Sequence, residues 1–149
     1  MEKISKYRVY LYGIDKSGKD LICSYITELG RYKYLVKSRG IMSMIVYSRL
    51  NNREYEYDLT NEKNVINILL TVDYFDWKVR CKVTNEKDVN EDDYFTHTYA
   101  FNDVRSELLQ LGCIIPCYNT SYHTAYQIAK DILKNLERLE RGEAWTIEL

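Results

Sequence analysis

Two histidines and four cysteines are the side chains of this 149-residue chain with the widest chemical repertoire, and their spacing argues against most of it. His97 and His123 are each followed directly by a threonine. A two-histidine phosphoesterase needs the hydroxyl two residues on, where a strand would bring it to the imidazole's face. Here Thr98 would point away from His97, and His123 falls at a helix start, so both read as structural or surface histidines. Cys113-x3-Cys117-x5-His123 offers three soft ligands, one short of a tetrahedral zinc site, while Cys23, Cys81 and His97 are isolated in sequence. The four cysteines are therefore expected to be reduced and metal-free, packed as small hydrophobes. Asp88-x-Asn90-x-Asp92 resembles the opening of a calcium loop, but Asp93 and Tyr99 stand where an EF-hand requires Gly and Glu. Gly13 and Gly18 with Lys19 are read as lacking the spacing of a glycine-rich phosphate loop. No catalytic residue, metal or cofactor is expected, and the chain reads as a non-enzyme.

Two surfaces remain as binding candidates. One is acidic and tyrosine-rich: Glu54, Tyr55, Glu56, Tyr57 and Asp58, with Glu86, Asp88, Glu91, Asp92, Asp93 and Tyr94. Carboxylates steer association and tyrosines give contact area at low entropic cost, so this set could dock on a host protein with a basic surface. The other is basic and aromatic: Arg8, Tyr10, Tyr12, Arg31, Lys33, Lys37 and Arg39, with Tyr7, Tyr32 and Tyr34. Rings interleaved with cations on sheet strands are what single-stranded nucleic-acid binders use. Strand alternation puts Tyr32 and Tyr34 opposite Lys33, which fits core packing equally well.

The elements that would carry these surfaces follow from periodicity. Phe75–Val83 alternates apolar and charged residues, which predicts a strand burying Phe75, Trp77, Val79, Cys81 and Val83 and exposing Asp76, Lys78, Arg80 and Lys82. Tyr7–Ile14 reads as the first strand, and helical spacing from 18 to 29 predicts a helix ended by Gly30. A strand over 32–37 follows. Ile41–Leu50 and Glu54–Leu59 read as a hairpin across Asn51-Asn52-Arg53. Thr60 or Asn61 would cap a short helix carrying Val65, Ile66, Leu69 and Leu70. Tyr94–Phe101 reads as a strand after the acidic connection 85–93, and Val104–Leu111 as a helix closed by Gly112. Cys113–Cys117, interrupted by Pro116, is at best an edge strand. The longest helix should run from about Ser121 to Arg141 and bury Ala125, Ile132, Leu136 and Leu139. Trp145–Leu149 would form a last strand.

The fold class expected is a single α+β domain over 1–149: a twisted, largely antiparallel sheet packed with about four helices, the last one long. With a net charge of −1 and no apolar run near the ~18 residues of a membrane span, neither DNA nor a bilayer attracts the chain as a whole. No signal-peptide core follows the first residues, so a cytoplasmic protein is expected. Fifteen Tyr against one Pro and six Gly point to AT-rich codons, hence a low-GC bacterium or one of its phages or plasmids. The function these features predict is a small inhibitor of phage or mobile-element type, docking through the acidic-tyrosine surface. It would block a host nucleic-acid-handling or defence protein in the manner of an anti-CRISPR. A nucleic-acid or nucleotide-binding module using the basic-aromatic strands is the alternative, and an unrecognised small hydrolase the third reading.

Overall fold

Val9 and Leu11 point to one face of the first strand, Tyr10 and Tyr12 to the other, and helices cover both. In the computed structural model, which describes residues 3–58, 63–84 and 90–149, this strand is β1 (Arg8–Tyr12). The remaining elements are α1 (Lys19–Leu29), β2 (Leu35–Lys37), α2 (Ile41–Leu50), β3 (Val65–Thr71), α3 (Tyr74–Val83), α4 (Glu91–Gln110), β4 (Cys117–Asn119) and α5 (Ala125–Glu140). The four strands lie in the order β2-β1-β3-β4, and every pairing is parallel. Parallel strands require crossover connections; α1, α2, and α3 with α4 supply them, and α5 follows the last strand.

Helices α1 and α5 pack on one face, where Ile22, Ile26, Ile128, Ile132 and Leu136 enclose Val9, Leu11, Ile68 and Leu70. Helices α2, α3 and α4 pack on the other, where Met42, Ile45, Trp77, Tyr94, Phe101 and Leu108 meet Tyr12 and Leu69. Within that second layer the Tyr12 hydroxyl donates to Asn67 Oδ1 at 2.9 Å, which satisfies both polar groups in the core.

This architecture corrects the expected fold class: the sheet is parallel, not largely antiparallel, and among the described residues five helices cover it on two faces. A strand buried on both sides shows no alternation, only a continuous apolar run. Val65–Thr71 is such a run; it forms β3 rather than the expected short helix, whose proposed caps, Thr60 and Asn61, lie outside the described residues. Ile41–Leu50 is a helix, not half a hairpin, and Asn52 takes a positive φ of 54° where that helix ends. The expected partner strand 54–59 is irregular through Asp58; Leu59 is not among the described residues.

Phe75–Val83 is helical. Only Trp77 and Cys81, one turn apart, are buried, whereas Phe75, Val79 and Val83 are exposed. Any period-two run also contains an i, i+4 pair, and here that pair faces the core. Tyr94–Phe101 belongs to α4, and Trp145–Leu149 forms no strand. Other expectations stand: β1 and α1 occupy their places, and Gly112 and Gly142 follow the ends of α4 and α5 with φ of 90° and 78°; the edge strand expected over 113–117 is instead β4, which starts at Cys117, past Pro116. Helix α5 starts four residues later than expected, at a capping box in which Thr124 and Gln127 bond reciprocally. It buries Ile132 and Leu136, with Ala125 and Leu139 half-buried. No helix among the described residues is long and apolar enough to cross a membrane.

Trp77 stacks with Tyr74 and packs at a tilt against Tyr94 while 6% exposed. Trp77→Ala should cost about 3–5 kcal/mol by cavity formation, read as a lower urea midpoint with an unchanged slope. A loss under about 1 kcal/mol would show that this aromatic cluster does not hold α3 to α4.

Candidate functional site

The connection from β1 to α1 is a tight loop that only certain residues permit. Gly13 has φ +150°, and a Cβ there would lie 2.5 Å from the Leu70 carbonyl oxygen and 2.7 Å from Ser17 Oγ. Gly18 has φ +99° and forms the left-handed entry to α1. Four residues separate these glycines, and Lys19 follows the second, so the run is Gly13-x4-Gly18-Lys19. The expectation that these residues lack phosphate-loop spacing is wrong. The spacing matches G-x-x-x-x-G-K-[ST] in all but its last position, where Asp20 replaces the hydroxyl residue. The strand and helix that such a loop needs are both present.

Lys19 folds back over the loop. Its Nζ donates to the carbonyls of Gly13 at 2.6 Å and Ile14 at 3.0 Å, and lies 3.4 Å from Ser17 Oγ. Burial pushes its pKa below the usual lysine value, against the opposing pull of Asp15 and Asp20. A nearby guanidinium, Arg39, adds to the lowering. The loop is braced from behind by Arg80 of α3. Its Nη1 donates to the Lys16 carbonyl at 2.7 Å and Thr120 Oγ1 at 2.9 Å, and its Nη2 to the Thr120 carbonyl at 3.0 Å. A residue expected on a wet strand face thus ties α3, the loop and the segment after β4 together.

In front of the loop lies a cleft of about 780 Å³. Gly13, Asp15, Lys19 and Asp20 form one wall; Ser38, Arg39 and Gly40, after β2, form another; Ser43, Met44, Tyr47 and Ser48 of α2, with Asn51 and Arg53, close it. Its position follows from topology. The order β2-β1-β3-β4 puts the topological switch point between β1 and β3, where the connection from β1 runs toward β2 and that from β3 toward β4; the cleft lies beside it, at the carboxyl ends of β1 and β2. Arg39 and Arg53 are both exposed, and neither has a hydrogen bond or ion pair among the described residues. Burial raises the Tyr47 phenol above its ordinary pKa, so it stays a neutral donor near Arg39. At the end of β3, Asp73 is held toward the loop after β4, accepting from Asn119 Nδ2 at 3.0 Å while its backbone N–H donates to Ser121 Oγ at 2.8 Å.

Of the residues assigned from sequence to the two binding surfaces, Arg39 alone lines this cleft. Arg8 begins β1 at the opposite end, Lys33 pairs with Glu140, Arg31 follows the end of α1 at φ +52°, and Lys37 ends β2. Tyr10 is half-buried and Tyr12 is buried on the inner face of the sheet. The acidic set occupies two places. Glu54 and Glu56 are exposed after α2, with Tyr55 and Tyr57 packed partly against the core. Glu91, Asp92 and Asp93 form the first turn of α4, where carboxylates complement the helix dipole, and Glu91 pairs with Lys78. Tyr94 is buried and donates to the Val72 carbonyl at 2.6 Å. Glu86 and Asp88 lie outside the described residues. His97 packs edge-on against Tyr47, and no group of three His, Cys, Asp or Glu able to hold a metal ion occurs among the described residues. The loop itself was missed although its signal, a Gly-x4-Gly-Lys run between a strand and a helix, stands in the sequence.

No protein-family model matches the chain, and no curated protein matches it by sequence. Solved structures do. The YorR protein of Bacillus subtilis, crystallised in complex with phosphorylated GDP, superposes with a TM-score of 0.77 over 90% of this chain and 98% of that one, at 15% identity. The deoxyadenosine kinase of M. mycoides with bound dCTP does so with a TM-score of 0.57 over 85% of this chain and 98% of that one, at 14% identity. These likenesses correct the expectations of a non-enzymatic, phage-type or anti-CRISPR-like inhibitor, and of a chain without enzymatic character. What the chain shares with them is their fold, here a parallel α/β sheet covered by helices on both faces.

Proposed function

We propose that the chain is a nucleotide-binding phosphotransferase, a small kinase that moves a phosphoryl group between nucleotides. The observation that carries this reading is the Gly13-x4-Gly18-Lys19 loop, closed between β1 and α1 and opening onto the cleft at the carboxyl ends of β1 and β2. Backbone N–H groups at such a turn, with the helix N-terminus behind them, cradle phosphate oxygens. Lys19 needs only to leave the Gly13 and Ile14 carbonyls to reach a bound phosphate. The fold likeness supports nucleotides as the ligand class, since the two neighbours hold phosphorylated GDP and dCTP.

The far wall of the cleft suits a phosphorylated acceptor better than a bare nucleoside. Lys19 serves the donor's phosphates, which leaves the guanidinium groups of Arg39 and Arg53 for a second anion. Met44 and Tyr47 offer surface for a base, while Ser43, Ser48 and Asn51 offer hydrogen bonds. In the reaction, a terminal phosphate oxygen of the acceptor attacks the donor's γ-phosphorus. The bond from that phosphorus to the bridging oxygen breaks, and the donor leaves as a diphosphate. A divalent cation, when bound, would supply positive charge that offsets the negative charge of transfer. Asp20 is the side chain of the loop whose chemistry fits holding it.

The test is a transfer assay pairing ATP or GTP and magnesium with each nucleoside and nucleoside monophosphate. Turnover with one or more monophosphates is expected, and no transfer to any acceptor would contradict the reading. Arg39→Met combined with Arg53→Met should raise the acceptor's KM about tenfold or more with a smaller change in kcat, the mark of lost ground-state binding. An unchanged KM would remove these arginines from the acceptor's site.

A further inference from the structure

Asp20 sits where a phosphate loop ordinarily carries a serine or threonine, whose hydroxyl ligates the cation that accompanies the nucleotide. A hydroxyl is neutral, so such a loop accepts phosphates with or without metal. A carboxylate does not have that tolerance. Asp20 is exposed, lines the cleft beside Lys19, and its carboxylate engages no hydrogen bond or ion pair among the described residues. Asp15 adds a second negative group to the same wall. The described residues contain no cluster of three ligating side chains, so a cation would need ligands from elsewhere. Magnesium is commonly held by one or two carboxylates together with substrate phosphates. Asp20 therefore fits as the protein's half of a site whose other half is the nucleotide.

Building on the phosphate-loop reading, we propose that Asp20 makes nucleotide binding at this cleft strictly dependent on a divalent cation. Without the cation, the carboxylate opposes the phosphates that the loop would otherwise accept. With it, the carboxylate becomes an anionic ligand stronger than the hydroxyl it replaces. The coupling is reciprocal: the nucleotide tightens the cation as much as the cation tightens the nucleotide.

The experiment is equilibrium binding of ATP and of GTP to the full chain by calorimetry, in magnesium and in EDTA, for the natural sequence, Asp20→Asn and Asp20→Ser. The fold of each variant is checked by circular dichroism. For the natural chain, EDTA should weaken binding by about 50-fold or more, near the upper part of the usual range of coupling between two ligands. For Asp20→Asn and Asp20→Ser, the loss should shrink to about fivefold or less. Both variants should bind metal-free nucleotide more tightly than the natural chain does. That gain of affinity is an effect no structural loss would produce. The same EDTA effect in all three proteins, with nucleotide bound in each, would overturn the role of Asp20 and leave the phosphate-loop reading standing. Failure of the natural chain to bind either nucleotide in magnesium would overturn both.

Discussion

Lys19→Ala should lower phosphoryl transfer about 10²–10³-fold while leaving the protein folded, the scale set by removing one preorganised charged or hydrogen-bonding group from a transition state. The Lys19 ammonium is the cation built into the loop, within 3.0 Å of the Gly13 and Ile14 carbonyls that define its curvature. Its partners are loop carbonyls rather than core atoms, so thermal unfolding should be little affected. Transfer close to the natural rate would show that the loop does not hold the phosphates. The charge state makes a second reading of the same residue. Lys19 binds phosphate only when protonated, and burial lowers its pKa in the free protein. Nucleotide affinity should therefore be full at neutral pH and begin to fall, as pH rises, below the pH at which an exposed lysine would lose its proton. Lys19→Arg, whose guanidinium does not deprotonate in this range, should move that fall to higher pH or abolish it.

Leu136→Asp should prevent stable folding. Leu136 is fully buried on α5, in the layer that also holds Ile22 and Ile26 of α1 and Ile128 and Ile132 of α5. Substitution removes a packed side chain, worth about 2–5 kcal/mol for a truncation of this kind. It also forces an unpaired carboxylate into an apolar layer, where it must be desolvated or take up a proton. The sum approaches the whole stability of an ordinary domain, about 5–15 kcal/mol. The expected result is insoluble protein or the loss of a cooperative urea transition. A soluble Leu136→Asp protein with a natural-like transition would mean that α5 does not close this side of the sheet.

How far the sequence reveals this structure depends on how each element is buried. β1, α1 and α5 are legible because their apolar residues recur with a clear period and turn or capping residues bound them. β3 is not, because burial on both faces erases the alternation that marks a strand, leaving Val65-Ile66-Asn67-Ile68-Leu69-Leu70 as an apolar run of ambiguous type. α2 misleads for a related reason: Ile41, Met42, Ile45 and Val46 pack inward, while Met44 and Tyr47, also apolar, face the cleft side, so no polar stripe interrupts the run. With α2 read as a strand, the far wall of the cleft could not be assembled from sequence, and Arg39 joined a set of residues from which the fold separates it.

The loop is a different matter. Gly13, Gly18 and Lys19 have the required spacing and stand between a strand and a helix that the sequence does reveal. The departure is confined to Asp20. Arg80 and Thr120, which brace the loop, are far apart in sequence and meet only because β3 and β4 are adjacent. No pattern of residue types could have paired them.

The central claim is that this loop holds the phosphates of a nucleotide, and backbone amide chemical shifts test it most directly. On adding ATP or GTP with magnesium to isotopically labelled protein, the largest shifts should fall on Gly13–Asp20, with smaller ones at Arg39, Gly40 and Arg53 across the cleft. If those amides stay in place at saturating nucleotide, or if the shifts fall instead on Glu54–Tyr57 and Glu91–Tyr94, the account is contradicted.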